Sequence, residues 1–137
     1  MEKEVISKIP PNDIIAEQAV LGSMLADKDA AIKAIEVLKP DDFYREDHKA
    51  IYKSMVELFG VGEPIDYLTI RNSLDQKGML EKIGSDAYLS TLIDSVPTTS
   101  NIESYVKIVE EKSILRSLIK AANDILAMGY DSAEEVN

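Results

Sequence analysis

The chain has no cysteine, no tryptophan and a single histidine, His48. Without thiols it forms no disulfide framework and no thiolate metal site, which fits a reducing compartment. One histidine without a spaced partner argues against zinc ligation and histidine-based catalysis. His48 stands beside Glu46 and Asp47, and its simpler reading is an early-helix residue that packs or bonds locally. Glycine is also scarce. None of the six glycines, Gly22, Gly60, Gly62, Gly78, Gly84 and Gly129, precedes a lysine. The phosphate-cradling turn that ends in Gly-Lys-Ser/Thr is therefore missing, and with it nucleotide hydrolysis by that route. No apolar run approaches the ~20 residues that span a bilayer. The opening "MEKEVISKI" is mixed and charged and lacks the apolar core of a secretory signal. These absences describe a soluble, cytoplasmic protein with no membrane partner.

Positive charge is the last shortage: 15 Lys and Arg stand against 25 Asp and Glu, a net charge of −10. Nucleic-acid binding rests on basic residues that neutralise phosphates, so this balance speaks against a main DNA-gripping surface. It suits solubility or a partner with a basic face. Two basic rows at i, i+4 spacing keep a nucleic-acid-binding helical module open as the alternative. Arg45, Lys49 and Lys53 form one, and Lys112, Arg116 and Lys120 the other. Tyr67, Tyr88, Tyr105 and Tyr130 do not interleave with these rows as a base-stacking platform would. Such rows are commonly solvated faces paired with nearby Glu, as Glu103 with Lys107. The acidic pairs Asp27/Asp29 and Asp41/Asp42 fall at helix starts, where side-chain acceptors and negative charge are favoured without any catalytic role.

Apolar residues make up 45% of 137, enough for one domain with an extension. Strand alternation is lacking and helical spacing recurs, which gives an all-α fold. The prolines of "IPPNDIIAEQAVLGSML" end a disordered tail over residues 1–9. Asn12 is the expected cap of a first helix that carries Ile14, Val20, Leu21 and Leu25 inward. Glu17 and Gln18 interrupt this apolar pattern and are expected to bond within the head or between helices. Gly22 lowers helix propensity by about 1 kcal/mol relative to alanine, so another helix should approach closely there. A second helix, capped near Asp29 and stopped before Pro40, buries Ile32, Ile35 and Leu38. "DDFY" plants Phe43 and Tyr44 in the core. A third helix over about 46–59 turns Ile51, Met55 and Leu58 inward, with Tyr52 a further candidate. Asp66 caps a fourth that ends at Gly78, a residue suited to the left-handed position after a helix. Ser85 or Asp86 caps a fifth, carrying Tyr88, Leu89, Leu92 and Ile93.

Residues 10–98 thus form a small multi-helix head. In residues 99–137, Ser100 and Glu103 read as a capping box that opens a long helix reaching Met128, with Gly129 as its stop. About 27 residues span roughly 40 Å, longer than the head can cover. Its apolar stripe is expected to project and to need another helix against it. Ser132 and Glu135 form a second capping box, so the chain reads as the first arm of a helical hairpin cut where the second arm begins.

Taken together, five segments resemble the amino-terminal domain of bacterial replicative DNA helicases, the DnaB family: "PPNDIIAEQAVLGSML", "DDFYREDHKAIYKSM", "GEPIDYLTI", "LEKIGSDAYLSTL" and "VPTTSNIESYVKIVEEKSILRSLI". They keep their order and near-fixed spacing over about residues 9–137. The resemblance implies a non-catalytic collar domain of a hexameric, ATP-dependent, 5′–3′ replicative DNA helicase. In the family, the collar assembles subunits through paired hairpins and receives the helicase-binding domain of primase at the replication fork. A helicase loader is a further implied partner. ATP, Mg and the principal contact with DNA belong to a motor domain outside this chain, which itself has no cofactor. Leu115, Leu118, Ile119, Ala122 and Ile125 correspond to subunit and hairpin packing, and Tyr88, Ile119 and Ile125 to primase-facing positions. Plain core packing is the competing role for these last three. One departure is Ile15, where many relatives carry Glu. A primase contact made by that Glu would be missing here.

Overall fold

In a computed structural model, which describes residues 9–136 and their side chains to Ala133, the sequence forms six α-helices and no strand among the described residues. They are α1 (Ile14–Ala26), α2 (Lys28–Val37), α3 (Glu46–Gly60), α4 (Tyr67–Gln76), α5 (Ser85–Asp94) and α6 (Ile102–Val136). Single 3-10 turns at Pro40–Asp42 and Glu81–Ile83 join α2 to α3 and α4 to α5. The expected disordered tail lies, apart from Ile9, outside the described residues.

α1 is the axis of the head. From Val20 to Leu25 every residue is buried, because α2, α3, α5 and α6 all pack on it. A helix enclosed on most sides needs no one-sided apolar stripe, which explains why Glu17 and Gly22 can sit within it. Gly22 is where α5 comes closest. A Cβ at that position would lie 2.1 Å from the Leu92 carbonyl oxygen and 2.5 Å from Val96 Cγ2, as the propensity argument anticipates. Around α1 the core gathers Phe43, Ile51, Tyr52, Met55, Ile70, Leu74, Leu89 and Leu92, all fully buried. The Phe43 and Tyr52 rings lie 4.8 Å apart. Tyr52 donates its hydroxyl proton to the carbonyl oxygen of Leu38 at 2.8 Å and approaches that of Ala34 at 3.2 Å.

Several local expectations change. Asp13, not Asn12, caps α1, its carboxylate accepting from the Ala16 N–H at 2.9 Å. Asn12 instead donates to the Pro10 carbonyl. Asp27 rather than Asp29 caps α2. Its buried face is Ala30, Ala31 and Ala34 with Leu38 beyond, while Ile32 and Ile35 are half-buried. Small residues let α2 lie close on α1 and leave the branched side chains at the margin. Tyr44 is likewise half-buried beside a buried Phe43. Asp66 does cap α4, in a reciprocal box with Thr69, and Gly78 does take positive φ. Gly84, ahead of both expected candidates, caps α5.

The long helix departs most. Ser100 bonds Thr98 in the preceding turn, and α6 begins at Ile102, so the Ser100–Glu103 box does not form. Glu103 and Lys107 are not among the ion pairs of the described residues. α6 then runs through Gly129 and Ser132 to Val136. Gly129 does not take the positive φ of a helix stop; a lone glycine weakens a helix without breaking it. Ser132 sits in helical backbone, where it cannot serve as the extended N-cap of a new element. The projection itself is as expected: from Ser117 to Ala133 every residue is exposed.

Candidate functional site

Glu17, expected only to bond within the head, is the centre of a buried polar chain linking three helices. The N-terminal half of α1 presents Glu17 and Gln18, the start of α3 brings Arg45, Asp47 and His48, and α5 contributes Tyr88. Glu17 is 2% exposed and His48 is fully buried. One Glu17 carboxylate oxygen accepts from the Tyr44 N–H at 2.6 Å. The other lies 2.7 Å from His48 Nδ1 and 3.5 Å from the Arg45 N–H. On the far side of the imidazole, Nε2 lies 2.6 Å from the Tyr88 hydroxyl. Gln18 Nε2 donates to the same hydroxyl at 3.2 Å.

Tyr88 stands at the outer end of this chain. It is half-buried, its ring lies near-parallel to the imidazole with centroids 5.9 Å apart, and it carries the Arg45 guanidinium 5.4 Å above its ring. Arg45 is held in turn by a fork to the Asp47 carboxylate. That bond, ahead of all other influences, raises the Arg45 pKa. Burial raises the Tyr88 pKa above the ordinary tyrosine value; the bond from Gln18 and the charge of Arg45 oppose it. Ile15 lies one turn before Gln18 and Ala19 and is 79% exposed, so the position where the resemblance implies Glu falls at the surface.

The other candidate residues occupy a different place. Leu115, Leu118, Ile119 and Ile125 are 43%, 64%, 46% and 65% exposed, and Ala122 is exposed with them. Their spacing puts them along one side of α6, Leu115 beside its last attachment to the head and the other four beyond it. That attachment is polar. Arg116 donates to the carbonyl oxygens of Pro11 at 2.8 Å and Asp42 at 2.7 Å, its guanidinium 5.5 Å from the Tyr44 ring centroid. Ser113 donates to the Asp42 carboxylate at 2.7 Å. Tyr88 therefore belongs to the buried network of the head, while Ile119 and Ile125 lie on the projecting stripe.

The basic rows are largely engaged within the protein. Arg45 bonds Asp47, Lys49 pairs with Glu46, Arg116 fastens α6 to the head, and Lys120 pairs with Asp124. This engagement weighs against phosphate binding by the rows. No cluster of His, Cys, Asp and Glu suited to a metal ion occurs among the described residues. No helix of the described residues is long and apolar enough to cross a membrane. A shallow groove of about 390 Å³ lies between α2 and the loop after α3, lined by Ala31, Ile32, Phe59, Pro64 and Ile65 with Lys28 and Glu63 at its charged positions. It holds no catalytic grouping. Sequence reasoning identified Tyr88 and the α6 stripe as candidates but missed the His48 partnership. Its components are 31 and 40 residues apart along the chain, and only the polar interruption of α1 hinted at it.

The model of the DnaB-like helicase N-terminal domain matches residues 9–111. The replicative DNA helicase DnaC of Bacillus subtilis is 49% identical over 129 residues, which make up 94% of this chain and 28% of that protein. The chain thus spans less than a third of this relative's length. The crystal structure of the N-terminal domain of the DnaB helicase from Mycobacterium tuberculosis superposes with a TM-score of 0.89 at 46% identity, covering 92% of this chain and 90% of the other. The N-terminal domain of the Helicobacter pylori DnaB helicase, whose structure is described with its interactions with primase, gives a TM-score of 0.71 at 26% identity over 85% of this chain and 90% of its own.

Proposed function

The chain belongs to the DnaB-like helicase N-terminal domain family, and on that basis we propose that it serves as the non-catalytic collar of a hexameric, ATP-dependent replicative DNA helicase. The observation that carries this reading is the free half of α6. Its exposed apolar stripe, Leu115, Leu118, Ile119, Ala122 and Ile125, calls for a covering helix. The second arm of a hairpin and the hairpin of a neighbouring subunit supply that cover in this reading. Unwinding, ATP and Mg belong to the motor domain of the longer parent, in the cytoplasm, which also makes the principal contact with DNA.

The second task of the collar is to receive the helicase-binding domain of primase, as the Helicobacter pylori relative supports. Tyr88, Ile119 and Ile125 are its contact residues in this reading. A helicase loader is a further partner. The test is a titration of the complete amino-terminal domain, hairpin included, with the helicase-binding domain of the matched primase. Association at tens of micromolar or tighter is expected. Silence at that concentration argues against the primase role. ATP hydrolysis by the chain alone would argue against the non-catalytic reading, since no P-loop lysine is present.

A further inference from the structure

With a neutral imidazole beside the Glu17 carboxylate, the Glu17–His48–Tyr88 chain has one wiring that uses both ring nitrogens. Glu17, an acceptor, is approached by Nδ1 of His48 at 2.7 Å, so Nδ1 carries the proton. Nε2 is then the acceptor in a neutral imidazole, and the Tyr88 hydroxyl, 2.6 Å away, donates to it. A remaining lone pair of that hydroxyl takes the Gln18 N–H at 3.2 Å. Tyr88 has therefore turned its only hydroxyl proton inward. Of the two lone pairs on its oxygen, one is then left free.

We propose that Glu17 and His48 position Tyr88 as a hydrogen-bond acceptor toward a docking partner, and that proton uptake by His48 reverses it into a donor. Once both ring nitrogens carry protons, both donate. Nε2–H then points at the Tyr88 oxygen, and the hydroxyl proton must turn out of the Nε2 direction, toward Gln18 or the surface. A Gln18 amide that donates to Tyr88 cannot also receive that proton, so its bond rearranges with it. The proton added to His48 stays on Nε2, and the Tyr88 proton stays on its own oxygen; only the direction of the bond changes. A buried event is thereby passed to half-buried Tyr88, two hydrogen bonds from Glu17.

The charged and titratable groups around His48 are Glu17 from α1, Tyr88 from α5, and Arg45 and Asp47 from its own segment. Asp42 bonds the Lys39 N–H and Ser113, Arg71 pairs with Asp86, and Lys77 pairs with Glu57. The partner chemistry that fits the neutral state is a hydrogen-bond donor, such as a backbone N–H or a basic side chain, presented to the Tyr88 oxygen. This partner consequence rests on the primase reading above. The wiring itself does not.

Because the chain has one histidine, its imidazole nitrogens can be followed by NMR without assignment ambiguity. The measurement is a pH series on the chain, carried downward until the imidazole signals report a change of charge. The expected result is the Nδ1–H tautomer at the upper end. Tyr88 ring signals and the Gln18 side-chain amide should then move along the same curve as the imidazole. In Tyr88→Phe the Gln18 response should vanish while His48 still titrates. An Nε2–H tautomer at the upper end, or Tyr88 and Gln18 signals that stay flat as His48 titrates, overturns the wiring. With the helicase-binding domain of primase, wild-type association should weaken several-fold on acidification and Tyr88→Phe should not. Measurable binding with equal pH dependence in both overturns the docking role. Absence of binding at every pH, with the NMR coupling intact, instead counts against the primase function and leaves the wiring standing.

Discussion

Glu17 accepts from the Tyr44 N–H and from His48 in a site almost closed to water. Replacing it with alanine strands two buried donors, each of which carries a desolvation penalty of about 1–3 kcal/mol. Glu17→Ala should therefore lower stability by about 3 kcal/mol in urea unfolding. Glu17→Gln, which keeps one acceptor oxygen, should recover part of the loss. Tyr52 gives a second prediction at this scale, one that depends on pH. Burial, and then the charge of Asp42, raises its pKa above the ordinary value of about 10. A raised folded-state pKa contributes stability that is complete below the unfolded value and is lost as pH rises through the folded one. Wild-type unfolding free energy should thus fall above about pH 10. Tyr52→Phe should cost about 1 kcal/mol near neutrality, since the Leu38 carbonyl loses its partner while Ala34 keeps its helical bond from the Leu38 N–H. The gap between the two proteins should narrow as the solution is made alkaline.

Individual helices were legible in the sequence wherever periodicity and punctuation agreed. α3 and α4 sit where their spacing and the Asp66–Gly78 bracket put them. Caps were less legible, because neighbouring acceptors such as Asn12 and Asp13, or Asp27 and Asp29, offer the same chemistry and only backbone geometry selects between them. The long helix shows the same ambiguity on a larger scale. Gly129 and Ser132 carry stop and start signals, yet a helix already propagating adds residues without a new nucleation cost and runs past both. α6 is fastened only over its first half, and its last polar attachment is Arg116. Backbone amides up to about Arg116 should exchange slowly with solvent deuterium, and those beyond it orders of magnitude faster. Arg116→Ala should move that boundary back toward Val109 while leaving amides of α1 and α3 unchanged.

For the molecule as a whole, composition gave the charge balance, helical periodicity gave the all-α class, and the length of the last helical pattern gave the projecting arm, with which the family resemblance agreed. The polar chain stayed hidden because its members come from three helices and meet only after the head is packed. The excess of acidic groups leaves the apolar side of α6 as the most evident sticky surface. Self-association measured by sedimentation should therefore depend on that side. Leu118→Glu with Ile125→Glu should shift the chain toward monomer while the melting temperature of the head stays within a few degrees.

The approach of α5 to Gly22 has a consequence beyond packing. Gln18 precedes Gly22 by one turn on α1, and Tyr88 precedes Leu92 by one turn on α5. The bare Cα of Gly22 therefore acts as a spacer of zero thickness, fixing how closely the two hydrogen-bonding side chains face each other one turn away. A single added methyl group, 2.1 Å from the Leu92 oxygen, must force the helices apart, with a loss of about 3 kcal/mol at the upper end for overpacking. The displacement should also lengthen the Gln18–Tyr88 bond. Gly22→Ala should accordingly alter the imidazole signals of His48, making a position with no chemistry of its own a mechanical calibration of the polar chain one turn away.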